Sequence, residues 1–502
     1  MSKVSEIIKD PTLTYQQQVL SLARLAENED DSLVRDPEFL EALENGALCD
    51  LGEGLAPYRP RYIVPDYELL MKKGCEFLGI EAPTDIWEAT NALLIFYKHV
   101  PSITSFPVYL GNFSTLFEKF DLDETVTRKA LKLFLQHIDK TLTDSFVHAN
   151  IGPKENRVGH IILELTKEMQ LAIPNITLLY NEKITSDAFA IKCVDCMLAT
   201  SKPSFANDEL YSKDMNGNYA IVSCYNALKV GGGGYTLPRI RLYYAALQAK
   251  SKTDFIERVL PYYVNVMLKN MDQRITYIVE ESNFFKSNFL VKEGFVKQEN
   301  FTGMFGVVGL SECCNKLLGI EDKNKGYGHS KEAEALALKI LDTIHDLVEA
   351  HHGVYCEGCN NTYVMHAQVG IDSDGMDNSP GCRIPIGYEP ELRDHLLLEA
   401  KMHKYFVSGI GDIFKFDETW NKNPKALLDI IKGALNSGMR YFTGYNADND
   451  VVRVTGYLVK RSEIEKLRNN EASLNQVSAY GLGAQDKGKA LSRRVYGNSI
   501  NQ

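Results

Sequence analysis

The chain has 502 residues and a formal net charge of −11, and its 44% apolar and 24% charged residues are typical of a globular protein. The acidic balance gives no electrostatic support for binding a nucleic-acid polymer, and no apolar run approaches the roughly 18 residues that span a bilayer. Ten cysteines are too sparse for a disulfide scaffold, and the first residues lack the apolar core of a signal peptide. We therefore expect a cytoplasmic protein with reduced thiols.

The first region, residues 1–155, is predicted to be mainly helical. In residues 125–142 the apolar side chains recur at helical spacing, which is typical of a helix packed on a core. This stripe consists of Leu131, Phe134, Leu135, Ile138 and Leu142. Asp144, His148 and Asn150 then precede a Gly-Pro pair, and they either form a capped turn or line a polar pocket.

The second region, residues 156–435, alternates between strand-like and helical patterns. The clearest helix, from Lys331 to His352, is closed by Gly353, a residue common at helix C-termini. Such alternation predicts an α/β body, and residues 436–502 form a third, C-terminal region. The predicted strands are residues 176–180, 220–222, 235–237 and 275–279.

A glycine interrupts the strand-like run at residues 451–459, Val-Val-Arg-Val-Thr-Gly-Tyr-Leu-Val. Glycine weakens a strand, so Gly456 marks either a tight bend at a sheet edge or a position that requires the absence of a side chain. In its context, which includes Tyr441-Phe442-Thr443-Gly444-Tyr445-Asn446 upstream, the sequence Arg453-Val454-Thr455-Gly456-Tyr457 resembles the signature of glycyl radical enzymes.

A radical on a backbone α-carbon is stabilised when it is planar and conjugated with both neighbouring amides, and only glycine allows this without a steric clash. In these enzymes the glycyl radical oxidises a cysteine thiol, and the thiyl radical then takes a hydrogen atom from the substrate. The resemblance therefore requires a cysteine on a loop far upstream.

Cys224 fits that requirement, because it precedes the glycine run 231–234 and the sequence Thr236-Leu237-Pro238-Arg239. This segment is similar to the cysteine loop and Asn-Leu-Pro-Arg strand of class III (anaerobic) ribonucleotide reductases, with Thr in place of Asn. Gly309-Leu310-Ser311-Glu312 resembles their Gly-Leu-Asn-Glu segment. The combination is closest to the YjjI-type glycyl radical enzymes.

The resemblance implies a ten-stranded α/β barrel of two half-barrels, with the cysteine loop inside and a C-terminal glycyl radical loop. It implies that Gly456 stores the radical and that Cys224 becomes the thiyl radical. The radical would be installed with S-adenosylmethionine by a separate radical SAM activase, because this chain lacks a Cys-x3-Cys-x2-Cys motif. We expect no bound cofactor or metal and no membrane partner. We leave a homodimer open.

The expected substrate is a small polar molecule, nucleotide- or sugar-like by the motif similarity. Glu312 is the candidate proton acceptor or hydroxyl anchor, with a helix N-terminal carboxylate as its structural alternative. Asn226 stands where diol-dehydratase-type radical enzymes have a carboxylate. The candidates for binding the substrate are Asn226, Tyr235, Arg239 and His148.

Three alternatives remain open at this point. Cys313 and Cys314 are adjacent, as in pyruvate formate-lyase, which carries an acyl group on one of two neighbouring cysteines. Cys356, Cys359 and Cys382 could contribute to a zinc site, although one Cys-x-x-Cys pair is half of what such a site needs. A chain that only lends its radical segment to a damaged enzyme is disfavoured, because it would not need the Cys224 loop.

Overall fold

A computed structural model describes residues 3–27, 33, 35–50, 58–100, 106–367, 379–475, 477–488 and 490–497. The first region is mainly helical there, with three short strands. Its elements are α1 (Lys3–Lys9), α2 (Tyr15–Glu27), α3 (Pro37–Glu44), β1 (Leu48–Cys49), β2 (Tyr62–Val64), α4 (Tyr67–Lys73), α5 (Ile86–Phe96), α6 (Phe113–Glu118), α7 (Glu124–Thr141) and β3 (His148–Ile151).

Helix α7 confirms the helix predicted for residues 125–142. It begins where the Asp123 carboxylate accepts a hydrogen bond from Val126 N–H, which satisfies one of the free donors of the first turn. The predicted apolar stripe is its buried face, with Leu131, Leu135 and Ile138 fully enclosed in the main core.

The second region alternates strands and helices, as predicted. Its elements up to the cysteine loop and beyond are α8 (Arg157–Met169), β4 (Asn175–Tyr180), α9 (Asp187–Thr200), β5 (Ser204–Asn207), α10 (Asp208–Met215), β6 (Ala220–Val222), β7 (Asn226–Leu228), β8 (Gly232–Gly234), β9 (Arg239–Arg241), α11 (Leu242–Leu247), α12 (Lys252–Asp254), α13 (Leu260–Thr276), α14 (Phe284–Ser287) and α15 (Phe289–Lys292). They are followed by β10 (Phe301–Thr302), β11 (Met304–Val308), α16 (Leu310–Leu318), α17 (Lys331–Ala350), β12 (Val364–Ala367), α18 (Leu392–His403), β13 (Asp412–Phe416) and α19 (Pro424–Asn436).

Two predicted strands were wrong. Residues 275–279 complete α13 and a following π-helical turn, because Met271, Ile275 and Ile278 continue the buried helical stripe. Residues 235–237 lie between two strands. The glycine run forms strand β8 instead, paired with β2. Glycine is required in this strand because a Cβ on Gly233 would collide with the Tyr62 carbonyl of β2.

The C-terminal region supplies strands and two helices. Its elements are β14 (Tyr441–Asn446), β15 (Val451–Arg453), β16 (Leu458–Lys460), α20 (Arg461–Arg468), α21 (Val477–Gly488) and β17 (Val495–Tyr496). Strand β14 belongs to the same sheet as strands of the other two regions, so sheet pairing joins all three; the boundaries at 155 and 435 stay a prediction.

A six-stranded and a four-stranded sheet form the framework. The six-stranded sheet has the order β17-β13-β14-β5-β4-β3. It consists of two parallel sets of three strands that meet antiparallel where Phe442 faces Phe205. Helices α8 and α9 provide the crossovers that parallel strands require. The four-stranded sheet has the order β1-β9-β11-β12.

Two hairpins lie outside these sheets. We call β6–β7, residues 220–228, the cysteine hairpin, because Cys224 lies in its turn. We call β15–β16, residues 451–460, the radical hairpin, because its turn contains Gly456. Within the described ranges, none of the helices combines the length and hydropathy needed to traverse a lipid bilayer.

Candidate active site

The turns of the two hairpins meet at Gly456 and Cys224. A Cβ atom built on Gly456 would lie 2.5 Å from the Sγ of Cys224 and closer still to its Cβ. This is far inside van der Waals contact, so only a residue without a side chain fits at position 456. The fold thus brings together the glycine and the cysteine that the sequence singled out.

Arg453 anchors the radical hairpin. Its side chain is buried, and its Nη2 donates to Asn175 Oδ1 (2.9 Å) and to Ser204 Oγ (3.0 Å). Its Nε donates to the Ser201 carbonyl (3.1 Å) and its Nη1 to the Gly456 carbonyl (3.4 Å). The arginine of the motif therefore ties the glycine's own carbonyl to the strands beneath it.

Further contacts enclose the turn. Leu458 N–H donates to Ser145 Oγ (3.1 Å), and the rings of Phe146 and Tyr457 meet edge to face at 5.5 Å. Arg493, near the C-terminus, donates from Nη2 to the Val454 carbonyl (2.6 Å). The apolar flanks that the sequence predicted to shield the glycine are all buried. They are Val451, Val452, Val454, Leu458 and Val459.

His148 and Asn150 hold the cysteine hairpin. Burial lowers the pKa of His148 to about 3, so the ring is neutral, and its Nδ1–H donates to the Ser223 carbonyl (2.6 Å). Its Nε2 then accepts from the Thr177 hydroxyl (2.8 Å). Asn150 pairs with both the N–H and the carbonyl of Ile221. Both ring nitrogens of His148 are thus engaged by the protein; its role toward substrate stays a prediction.

The Cys224 thiol is enclosed and protonated. Its residue is 7% exposed, and burial raises its pKa to about 12. The Tyr441 hydroxyl donates to the Cys224 carbonyl (3.3 Å), and Ser223 adopts a left-handed φ of 56° that shapes the turn. A protonated thiol is the form that carries a hydrogen atom for transfer. Asp144 of the predicted polar cluster is also buried, which raises its pKa to about 6.

The next two residues of the cysteine hairpin, Tyr225 and Asn226, lie beside the thiol residue and make the following contacts. The Tyr225 ring stacks on His366 with 5.6 Å between centroids, and its hydroxyl donates to the Ala367 carbonyl (2.7 Å). Asn226 donates from Nδ2 to the Val222 carbonyl (3.1 Å), whereas its Oδ1 is buried with no hydrogen-bond partner among the described residues. Asn226 thus has an acceptor without a partner in the described chain, two residues after Cys224 in the same hairpin.

Glu312 lies in the first turn of α16. Its Oε1 accepts from the Ser379 hydroxyl (2.7 Å), while Oε2 is buried and lacks a partner in the described part of the chain. Burial raises its pKa, which suits a carboxyl group that exchanges a proton or binds a hydroxyl.

Tyr235 and Arg239 make contacts with other segments. The Tyr235 hydroxyl donates to the Tyr355 carbonyl (3.1 Å). Arg239, on β9, is fully buried and donates from Nη2 to Cys49 Sγ (3.6 Å), and burial lowers its pKa to about 10. Their substrate-binding roles stay predictions.

The remaining cysteines lie elsewhere. Cys313 and Cys314 are fully buried in α16 within the main apolar core, where burial raises both thiol pKa values. Cys356 donates to the Val354 carbonyl (2.9 Å), and Cys382 Sγ lies 4.0 Å from Glu399 Oε2. None of these cysteines joins a group of three ligating side chains in the ranges that the structure describes.

One such group does occur, formed by His395, Glu399 and Asp412, all buried. His395 Nε2 lies 2.6 Å from Asp412 Oδ2, and the guanidinium of Arg383 approaches Asp412 Oδ1 at 3.5 Å. The guanidinium supplies positive charge next to the carboxylate, so Asp412 lies between His395 and Arg383 in the buried interior.

Sequence reasoning missed Arg383, Asn175, Tyr441 and His366 as parts of this site. The only local signal for Arg383 is its position after Pro380-Gly381-Cys382, a turn-rich segment in which a charged residue is ordinary. Asn175 lies on β4 and His366 on β12, and only the tertiary structure defines which residues neighbour these strands.

Comparison with known proteins agrees with this geometry. The sequence model of the family described as "Glycyl radical enzyme YjjI-like" matches residues 13–496. An uncharacterized protein of Haemophilus influenzae is 44% identical over 500 residues, which is 99% of this chain and 97% of that protein. The Escherichia coli protein YjjI is 38% identical over 478 residues, which is 94% of this chain and 92% of that protein.

Solved structures share the fold at low sequence identity. The anaerobic ribonucleotide reductase of Thermotoga maritima, with dATP and CTP, is 15% identical with a TM-score of 0.67, covering 93% of each chain. A Roseburia inulinivorans protein described for 1,2-propanediol dehydration is 10% identical with a TM-score of 0.70, covering 98% of this chain and 88% of that one. The mixed α/β fold with the ten-stranded barrel of glycyl radical enzymes is thereby confirmed. By its sequence, the chain belongs to the YjjI-like family of glycyl radical enzymes.

Proposed function

We propose that this enzyme stores a radical on Gly456 and uses Cys224 to take a hydrogen atom from a small polar substrate. The observation that carries the proposal is the direct contact between the Gly456 turn and the Cys224 thiol. A hydrogen atom moves only between groups in contact, and the three atoms nearest to a Cβ built on Gly456 all belong to Cys224.

Each step conserves atoms and spin. The Gly456 α-carbon radical takes the hydrogen atom of the Cys224 S–H bond, giving closed-shell Gly456 and a thiyl radical. The thiyl radical takes a hydrogen atom from a substrate C–H bond, giving the thiol and a substrate radical, which rearranges or eliminates. The product radical takes a hydrogen atom from the thiol, and the thiyl radical recovers one from Gly456.

The protein supplies position and exclusion of water. Arg453 and Asn175 both donate to the Gly456 carbonyl (3.4 Å each), which holds the peptide plane next to the α-carbon. The raised pKa of Cys224 keeps the thiol as S–H at neutral pH. The burial of Gly456 and Cys224 separates the radical from water, where side reactions would quench it.

Activation requires a separate radical SAM enzyme, as is typical of glycyl radical enzymes, and we infer that it generates the Gly456 radical from S-adenosylmethionine. We infer a cytoplasmic enzyme that uses no nucleic-acid polymer and holds no cofactor of its own. Among the substrate-facing candidates, Glu312 and Asn226 have the free acceptor atoms that a hydroxylated, nucleotide- or sugar-like substrate would use.

The test is electron paramagnetic resonance after anaerobic incubation with the cognate activase and S-adenosylmethionine. The wild-type protein should show an organic radical doublet, split by the single α-hydrogen. Gly456→Ala should abolish the signal, because the methyl group clashes with Cys224 and twists the α-carbon out of conjugation.

The matched control is Gly433→Ala in α19, where an added Cβ meets no atom within 4 Å. This variant should keep the full signal. A full-strength doublet from Gly456→Ala would refute the assignment of the radical.

A further inference from the structure

A buried arginine beside the cysteine hairpin has donors that none of the described residues accepts. Arg383 follows Pro380-Gly381-Cys382 and is 5% exposed. Gly309 N–H donates to the Ser379 carbonyl (3.0 Å) and Leu310 N–H to the Gly381 carbonyl (3.4 Å), which fixes this segment against the start of α16.

Within the described ranges, one edge of the guanidinium is occupied. Nε donates to the Gly411 carbonyl (2.7 Å) and lies 3.5 Å from Asp412 Oδ1. Nη1 and Nη2 are buried and have no hydrogen-bond partner among the residues that the structure describes.

Asp412 does not fill this gap. Its Oδ2 is engaged by His395 (2.6 Å) and its Oδ1 accepts from Ile413 N–H (2.6 Å), so its hydrogen bonds go to other residues. The carboxylate balances the charge of Arg383 from the Nε side, while the fork of Nη donors remains available.

A buried, charged donor without a partner is costly, and buried polar groups in folded proteins are nearly always paired. The planar guanidinium fork matches the two oxygens of a carboxylate or the oxygens of a phosphate. An oxyanion supplied by a ligand would satisfy both Nη groups at once.

The position of Arg383 links such a ligand to the chemistry. Its guanidinium carbon lies 5.6 Å from the ring centroid of Tyr225, the residue directly after Cys224. Its positive charge also opposes the rise that burial causes in the pKa of Cys224, so the two side chains interact electrostatically. The free Oδ1 of Asn226 lies in the same hairpin.

We propose that Arg383 binds the oxyanion of the substrate, a carboxylate or a phosphate, and so orients a small anionic molecule toward Cys224. The proposal rests on the proposed function and names its substrate class. A hydroxyl or amino group of the same molecule can then donate a hydrogen bond to Asn226 Oδ1. Arg239, the other arginine among the candidates, lies on β9 and donates to Cys49 on β1.

Binding to the unactivated enzyme tests this without any radical. Isothermal titration calorimetry would use two matched pairs of probes, lactate against propane-1,2-diol for a carboxylate, and glycerol 3-phosphate against glycerol for a phosphate. We expect at least one anion to bind about tenfold or more tightly than its neutral partner, and the pair that shows this preference identifies the oxyanion.

Arg383→Gln should remove the preference for the anion, and Arg383→Lys should retain part of it because the charge remains without the fork. The control is Arg393→Gln, an exposed arginine at the start of α18, which should bind like the wild type. No anion preference in the wild type, or an unchanged preference in Arg383→Gln, would overturn the proposal.

Should Arg383→Gln fail to fold, a crystal structure of the wild-type protein soaked with the tighter anion decides. Its oxyanion should lie within hydrogen-bond distance of Nη1 or Nη2 of Arg383, and an oxyanion bound elsewhere overturns the proposal. Because no activase is used, a negative result here leaves the Gly456 radical untouched, and an absent radical doublet leaves this binding result intact.

Discussion

Two buried arginines, Arg453 and Arg383, oppose by their positive charge the rise that burial causes in the pKa of Cys224. They differ in how many of their hydrogen-bond donors are paired within the protein. Arg453 distributes its three donor nitrogens over Ser201, Asn175, Ser204 and the Gly456 carbonyl. Arg383 uses Nε alone and leaves both Nη groups without a partner in the described chain.

The difference separates two tasks of one site. The radical side must be rigid and closed, so the protein itself satisfies the arginine that fixes Gly456. On the proposed substrate side, Arg383 and Asn226 have polar atoms without a hydrogen-bond partner among the described residues, which suits a site that takes up a molecule from outside. In the proposed mechanism, the arginine that holds the radical site has all its donor nitrogens paired within the protein, whereas the arginine proposed to bind the substrate has two without a partner in the described ranges.

The largest expected effect concerns the link between the two hairpins. In deuterated water the Cys224 thiol becomes S–D, and repeated transfer to and from Gly456 should replace the α-hydrogen, so that the radical doublet collapses. In Cys224→Ala the doublet should form and persist unchanged. The measurement is electron paramagnetic resonance of the activated protein over time.

The control is Cys314→Ala, in the apolar core, which should collapse like the wild type. Loss of exchange in this variant, or collapse in Cys224→Ala, would contradict the assignment of the thiol and reopen the acyl-transfer reading of Cys313 and Cys314.

The second prediction compares the two arginines by stability. Arg453→Met should lower the free energy of unfolding by about 3–5 kcal/mol, because it leaves several buried partners unpaired. Arg383→Met should cost less, because the loss is one hydrogen bond to Gly411 and a 3.5 Å ion pair with Asp412. The Asp412 carboxylate keeps its hydrogen bonds to His395 and Ile413. Urea unfolding of both variants measures this, and equal losses would contradict the idea that the Arg383 fork is free.

The third prediction concerns pH and the support of the cysteine hairpin. The pKa of His148 is about 3 in the folded protein, below that of an exposed histidine near 6.5. As pH falls through this window the unfolded chain binds a proton that the folded chain does not, so stability is lost on acidification, by on the order of 4 kcal/mol in total.

His148→Gln should flatten this part of the stability–pH curve, whereas His352→Gln, at an exposed histidine, should leave the wild-type slope. Urea midpoints at pH 7, 6, 5 and 4 provide the measurement. Parallel curves for His148→Gln and the wild type would show that His148 is not held neutral.

The smallest expected effect concerns shielding of the radical. Oxygen should convert the activated α-carbon to a peroxyl species whose decay cuts the chain at Gly456, releasing a fragment from near Tyr457 to Gln502. Val454→Thr, a polar change of similar size in the buried flank, should speed this cleavage several-fold. Mass spectrometry locates the cut, and a cut at Gly444 or one without activation would move the radical elsewhere.

The sequence predicted the elements whose patterns are local. The apolar stripe of α7 and the run around Gly456 need only spacing and residue type, and both elements formed close to where they were predicted. The run at 275–279 was misassigned because a short apolar segment fits a strand and a buried helix equally well. Most of the glycine run at 231–234 forms β8, where Gly233 lies too close to the Tyr62 carbonyl to carry a side chain.

By itself the sequence determined the family, the pairing of Gly456 with Cys224 through motif order, and the apolar shielding of the hairpin. Only the tertiary structure decided that Arg453 reaches the Gly456 carbonyl and that His148 supports the turn of Cys224. It also decided that Arg383 has two donors without a partner in the described part of the chain. The physical reason is that motifs and periodicity describe neighbours along the chain. Whether a buried donor is satisfied depends on atoms from strands that the chain brings together only when it folds.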